Sequence, residues 1–170
     1  MSEVDLAKHE LRKIRVCLAI VIVGLVLSGV TAFPLETEVG WLQSMLDSYL
    51  LRTIAEESHL LPWVRRVHEG LAETNHSYPF LAYGTDWLAF AHLMLAILFV
   101  GTWRDPLRNR WVIQFGLIAC AAVVLLAMVA GPLRGIPWEW RLIDCSFGIG
   151  CAVPLGMAWK GISKVVPPTP

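Results

Sequence analysis

The sequence predicts an all-α integral membrane protein, a four-helix bundle with one or two short interfacial helices capping one side. Three observations lead there. Of 170 residues, 56% are hydrophobic and only 16% charged, where an ordinary soluble domain carries roughly 25% charged residues. The apolar residues are gathered into four runs of near-bilayer length, and the mean hydropathy is +0.58. A helix crosses the hydrocarbon with about 20 apolar residues at ~1.5 Å each. Finally, the basic residues collect at alternate ends of these runs, as they do in a chain threaded repeatedly through a membrane. The prediction is one transmembrane domain over residues 1–170.

The first run, residues 16–33 ("VCLAIVIVGLVLSGVTAF"), follows Lys8, Arg12, Lys13 and Arg15 and stops at Pro34. A basic lead, an apolar stretch and Val30-Thr31-Ala32 also describe a cleaved signal peptide. Glu3, Asp5 and Glu10 within the basic lead argue instead for an uncleaved anchor.

Residues 34–79 form a long connection, richer in acid (Glu36, Glu38, Asp47, Glu56, Glu57, Glu69, Glu73) than in base (Arg52, Arg65, Arg66). Within it, "WLQSMLDSYLLRTIAEE" puts Leu42, Met45, Leu46, Tyr49 and Leu50 on one helical face. Gln43, Ser44, Asp47 and Ser48 take the other. "LPWVRRVHEGLAE" has Pro62 early and clusters Val64, Val67, His68 and Leu71, which predicts a second amphipathic helix. Both are expected to lie on the membrane surface or to cap the bundle.

The remaining runs are residues 80–103, 111–131 and 140–159, the last being the least apolar. Pro132 is expected to close the third, and Pro154 to kink the fourth and free a carbonyl near its middle. Arg104, Arg108 and Arg110 fill the turn between the second and third, and Lys160 and Lys164 follow the fourth. With four spans these fall on the same side as the basic N-terminal segment. That side is then cytoplasmic, with both termini, and the expected location is a cell membrane of the bacterial inner-membrane type. Trp103, Trp111 and Trp159 would mark one interface, and Trp87, Trp138 and Trp140 the other.

The charge balance and motifs exclude several classes. A formal net charge of +0 leaves no basic field for nucleic acid. Cys17, Cys120, Cys145 and Cys151 lie in apolar segments with no C-x-x-C pair, which speaks against thiol-redox chemistry and a zinc site and for small buried hydrophobes. There is no phosphate-binding loop, H-E-x-x-H or G-x-S-x-G, so no cofactor or metal is expected. His92 is the one histidine within a span, and haem held by two histidines lacks its second ligand there.

What stands out is charge inside the spans, where each ionised group costs on the order of 3 kcal/mol at the bilayer centre. Asp86 lies about one turn into the second span. Arg141, Asp144 and Cys145 share one face at the start of the fourth, with Glu36, Glu38 and Arg134 near the same interface. His92 lies ~9 Å deeper than Asp86 at ~1.5 Å per residue, beside the small-residue stripe Thr85, Ala89 and Ala96. It reads as an inward, neutral histidine bonded to another helix. Depth alone therefore suggests one outer-facing polar site made of Asp86, His92, Arg141, Asp144, Glu36, Glu38 and Arg134. "GPLRGIPWEWRLIDCSFGIG" would hold its arginines at the mouth, where a guanidinium can take carboxylate or phosphate.

Three functional readings follow. The first is a small protein handling an anionic or cationic ligand, or an ion, at that site. In the second the charges merely clip helices together in an accessory or scaffold subunit, with a second copy or another membrane subunit as partner besides the lipid bilayer. The third, and weakest, is a membrane enzyme using His92 or a carboxylate as base.

Overall fold

The structure, a computed structural model, describes residues 3–48 and 52–165. Tyr49, Leu50 and the "PPTP" tail lie outside them. The described chain is all-α: α1 (Glu3–Ala32), α2 (Leu35–Leu46), α3 (Arg52–Glu57), α4 (Leu60–Ser77), a 3-10 turn (Pro79–Ala82), α5 (Tyr83–Arg104), α6 (Arg110–Leu133) and α7 (Trp138–Val165). Among the described residues, four helices are long and apolar enough to cross a membrane: α1, α5 with its preceding turn, α6 and α7. The protein is thus a small polytopic membrane protein with short helices added.

The helices outrun the apolar runs that announce them. The α1 helix continues back through the charged segment to Glu3, because that segment is rich in helix formers and nothing breaks it. At its other end Pro34 separates α1 from α2 as expected. Pro132, by contrast, lies inside the last turn of α6, and the stop comes from Gly135 in the left-handed region (φ 68°). Ile136 N–H donates to the Gly131 carbonyl at 3.0 Å and Gly135 N–H to that of Pro132 at 3.1 Å, a Schellman closure.

The long helices stand in the spatial order α5, α1, α7, α6. α1 packs extensively on both α5 and α7, and α6 packs on α7, while α5 and α6 meet less, Phe99 reaching Gly116. Close approach is made by small residues, as expected where lipid tails remove the hydrophobic drive for association. A methyl added at Gly29 of α1 would lie 3.0 Å from the Ala89 carbonyl oxygen of α5, and one at Gly148 of α7 only 2.7 Å from that of Cys120 in α6.

The tightest packing lies toward the arginine-rich turn. Ile14, Cys17, Leu18 and Val21 of α1 meet Phe99 of α5, Ile113 and Cys120 of α6, and Leu155, Ala158 and Ile162 of α7. Polar contacts tie the same end: Arg15 donates to the Arg104 carbonyl at 3.3 Å and lies 6.0 Å from the Trp103 ring centre, and Glu10 lies 3.1 Å from Lys13 and 3.9 Å from Lys164. The opposite end carries α2, α3 and α4 and is called the cap end below.

Candidate functional site

The cap is an antiparallel hairpin of α2 and α4 held by a polar ladder. Asn75 Nδ2 donates to Glu36 at 2.6 Å, a His68 ring nitrogen lies 2.8 Å from Gln43 Oε1, and Arg65 pairs with Asp47. These partners descend one helix as they ascend the other, with Val39, Leu61 and Val64 buried beside them. The two faces expected for α2 are only partly kept: Leu42 and Leu46 are half-buried and Ser44 and Ser48 exposed, as expected, but other positions change sides. Gln43 and Asp47 face the neighbouring helix, while Trp41 and Met45 are 68% and 62% exposed. The cause is α4, whose own Arg65, His68 and Asn75 offer partners that an isolated amphipathic pattern cannot anticipate. A second link reaches the bundle: His59, in a left-handed conformation between α3 and α4, stands 3.9 Å from Glu139 at the start of α7.

The charges of the spans occupy separate places. Asp86 lies in the first turn of α5, and α1 intervenes between that helix and α7. Among the described residues no ion pair within 4.0 Å joins Arg141 to Asp86 or Asp144. Arg141 instead lays its aliphatic stem over Gly131 of α6, and its Nε is buried without a hydrogen-bond partner. Asp144 is half-buried, Glu38 likewise, and Arg134 is exposed at the end of α6. Glu36 is engaged in the cap ladder. The His92 ring bonds within its own helix, Nδ1–H donating to the Leu88 carbonyl at 2.8 Å, rather than to a neighbouring one. No group of three or more His, Cys, Asp or Glu side chains suited to a metal ion occurs among the described residues.

Asp86 lines a groove of about 280 Å³ with Phe33, Tyr83, Trp87 and Phe90. Tyr83, Asp86, Trp87 and Phe90 stand at i, i+3, i+4 and i+7, so one stripe of α5 presents all four, and Phe33 borders the groove from just beyond the end of α1; the groove is open, with all four aromatic side chains exposed. The rings stack edge to face: Tyr83–Trp87 at 5.9 Å and 75°, Trp87–Phe90 at 5.9 Å and 85°. None of the other charged residues expected at the site lines this groove. A smaller cavity of about 110 Å³ lies on the other side of Phe33, between Leu35, Glu36, Leu71, Thr74 and Asn75 of the cap and Leu81, Ala82 and Thr85.

The carboxylate of Asp86 has neither an ion pair nor a side-chain hydrogen bond among the described residues. Its place in the first helical turn supplies some compensation, typically 0.3–1 kcal/mol from the helix dipole. That is less than the ~3 kcal/mol an ionised carboxylate costs deeper in hydrocarbon. Water, a cation or a proton can supply the difference, and the surroundings of the carboxylate are almost wholly aromatic. The sequence pattern does not single out Phe33, Tyr83 or Phe90, and it gives Trp87 only the role of an interface marker. The signal was nevertheless present, as three aromatic residues at helical spacing around an acid. No protein family, curated protein or solved structure matches this chain.

Proposed function

We propose that this protein handles a small ligand at the Asp86 groove, on the extracytoplasmic side of a cell membrane, with both termini in the cytoplasm. One observation carries the reading: a carboxylate within a membrane-spanning helix, unpartnered among the described residues, faces an open groove bordered by three aromatic rings of that helix and by Phe33. Intramembrane charges that serve only to join helices are paired with one another. Asp86 is not, so a helix clip does not account for it. The orientation rests on Arg104, Arg108 and Arg110 in the short turn and on the acidic balance of residues 34–79.

The groove is tested directly by placing 5-fluorotryptophan in the purified protein and assigning Trp87 with Trp87→Phe. Small cationic, neutral and anionic amphiphiles are then titrated while the Trp87 fluorine resonance is followed. Saturable movement by at least one class, with the resonance of the remote Trp111 unmoved, is the expected result. Failure of every class would remove the ligand-site reading. Orientation is checked in a cysteine-free background by labelling Ser77→Cys, expected only from outside, and Asn109→Cys, expected only from the cytoplasm.

A further inference from the structure

Resting on the ligand-site reading above, we propose that the Asp86 groove selects a compact organic ammonium methylated at nitrogen. The choice follows by comparing what each class of ligand requires with what the groove contains. An anion would meet the Asp86 carboxylate with no cationic side chain among the lining residues to offset it. A calcium ion takes six to eight oxygen ligands and magnesium about six. Asp86 and the Tyr83 hydroxyl are the only side-chain oxygens in the lining. A primary ammonium carries three N–H donors and is strongly hydrated, and the same two groups cannot replace that hydration.

Methylation removes those demands. A methylated ammonium spreads its charge over its methyl groups, has few or no N–H donors to satisfy, and is attracted to the faces of aromatic rings, tryptophan best of all. Trp87 stands at the middle of the Tyr83–Trp87–Phe90 series. Because successive rings turn by 75° and 85°, they form a corner and not a flat wall. A rounded cation fits a corner, whereas a planar ligand would want parallel faces. Asp86, on the same helical stripe, supplies the opposite charge, and Phe33 borders the other side. The groove lies at the start of a membrane span. Such a group can therefore come free from the aqueous phase or as the headgroup of a membrane lipid, since both present the same cation at that depth.

The experiment uses the full chain with fluorinated Trp87. In detergent, choline is titrated against 3,3-dimethyl-1-butanol, its neutral isostere, and against ethanolamine. Choline is expected to bind at least about tenfold more tightly than either, because the isostere lacks the charge and ethanolamine lacks the methyl groups. Asp86→Asn should abolish the preference over the isostere, Asp86→Glu should keep it, and Phe90→Leu should weaken choline without reversing the order. Discs of phosphatidylcholine and of phosphatidylglycerol separate the sources. If the lipid headgroup is the ligand, Trp87 shows its bound resonance in phosphatidylcholine alone, without added choline. If the free cation is the ligand, both discs show the unbound resonance until choline is added. Equal binding of choline and its isostere, or tighter binding of ethanolamine or an anion, would overturn the ammonium assignment while leaving a ligand site in place. No binding by any class would overturn the site reading itself.

Discussion

The two ends of the bundle solve the problem of packing helices in lipid differently. Toward the arginine-rich turn, all four long helices contribute to one cluster, with Ile14, Leu18, Ile113, Leu155 and Ala158 almost wholly buried. Toward the cap, α1 meets α5 through Gly29, and α6 meets α7 through Gly131. It is at that looser end that Asp86 and the Nε of Arg141 stand without side-chain partners among the described residues. Close packing leaves no room for an uncompensated polar group, and looser packing does. In so small a bundle an uncompensated polar group finds room where the helices separate, while the opposite end keeps them in register.

The largest effect expected from disturbing this contrast is at a helix crossing. Gly148→Val should destabilise the protein by about 3 kcal/mol, since backbone and not a flexible side chain stands in the way. Gly150→Val, where nothing lies within 4 Å, is its control and should change little. Thermal unfolding in detergent distinguishes them, and equal midpoints would show that α6 and α7 do not meet as described.

Arg141 gives a sharper and smaller test. Were it half of a buried ion pair, removing the charge would cost about 3–5 kcal/mol. Its stem instead packs on Gly131 while its Nε lacks a partner. Arg141→Met, which keeps the stem and removes the polar head, is therefore expected to cost less than about 1 kcal/mol. Arg141→Ala should cost more than Arg141→Met. A large loss with methionine would restore the helix clip.

The smallest effect is expected in the cap. The Arg65–Asp47 pair is partly exposed, and such pairs contribute about 0.2–1 kcal/mol. Arg65→Ala should accelerate amide exchange in α2 and α4 while leaving the unfolding midpoint of the long helices within error. A matching loss in all helices would mean that cap and bundle unfold as one unit.

Much of this architecture is legible without coordinates because it depends on length and local composition. Four apolar runs imply four spanning helices, Pro34 marks the break after the first, and the glycine-rich stretch from Gly131 foretells the turn closed at Gly135. The free cysteines lie as small, largely buried side chains, in keeping with their apolar surroundings. Depth is legible too, since rise per residue sets it, and Asp86 and Arg141 do lie near the starts of α5 and α7.

Which helix stands beside which is a different kind of fact. It depends on the shapes of surfaces distant in sequence, on Gly29 admitting Leu93 and Gly161 admitting Ile14, and no local pattern encodes it. Placing α1 between α5 and α7 separated two charges that share a depth. Folding α4 against α2 brought Gln43 and Asp47 inward by giving them partners. The sequence by itself therefore determined the number of long apolar helices and where along the chain their apolar runs lie, because hydrocarbon imposes those one segment at a time. Only the tertiary structure decided that Asp86 would face Phe33 and its own aromatic stripe instead of Arg141, because neighbours are chosen by packing among all the helices at once.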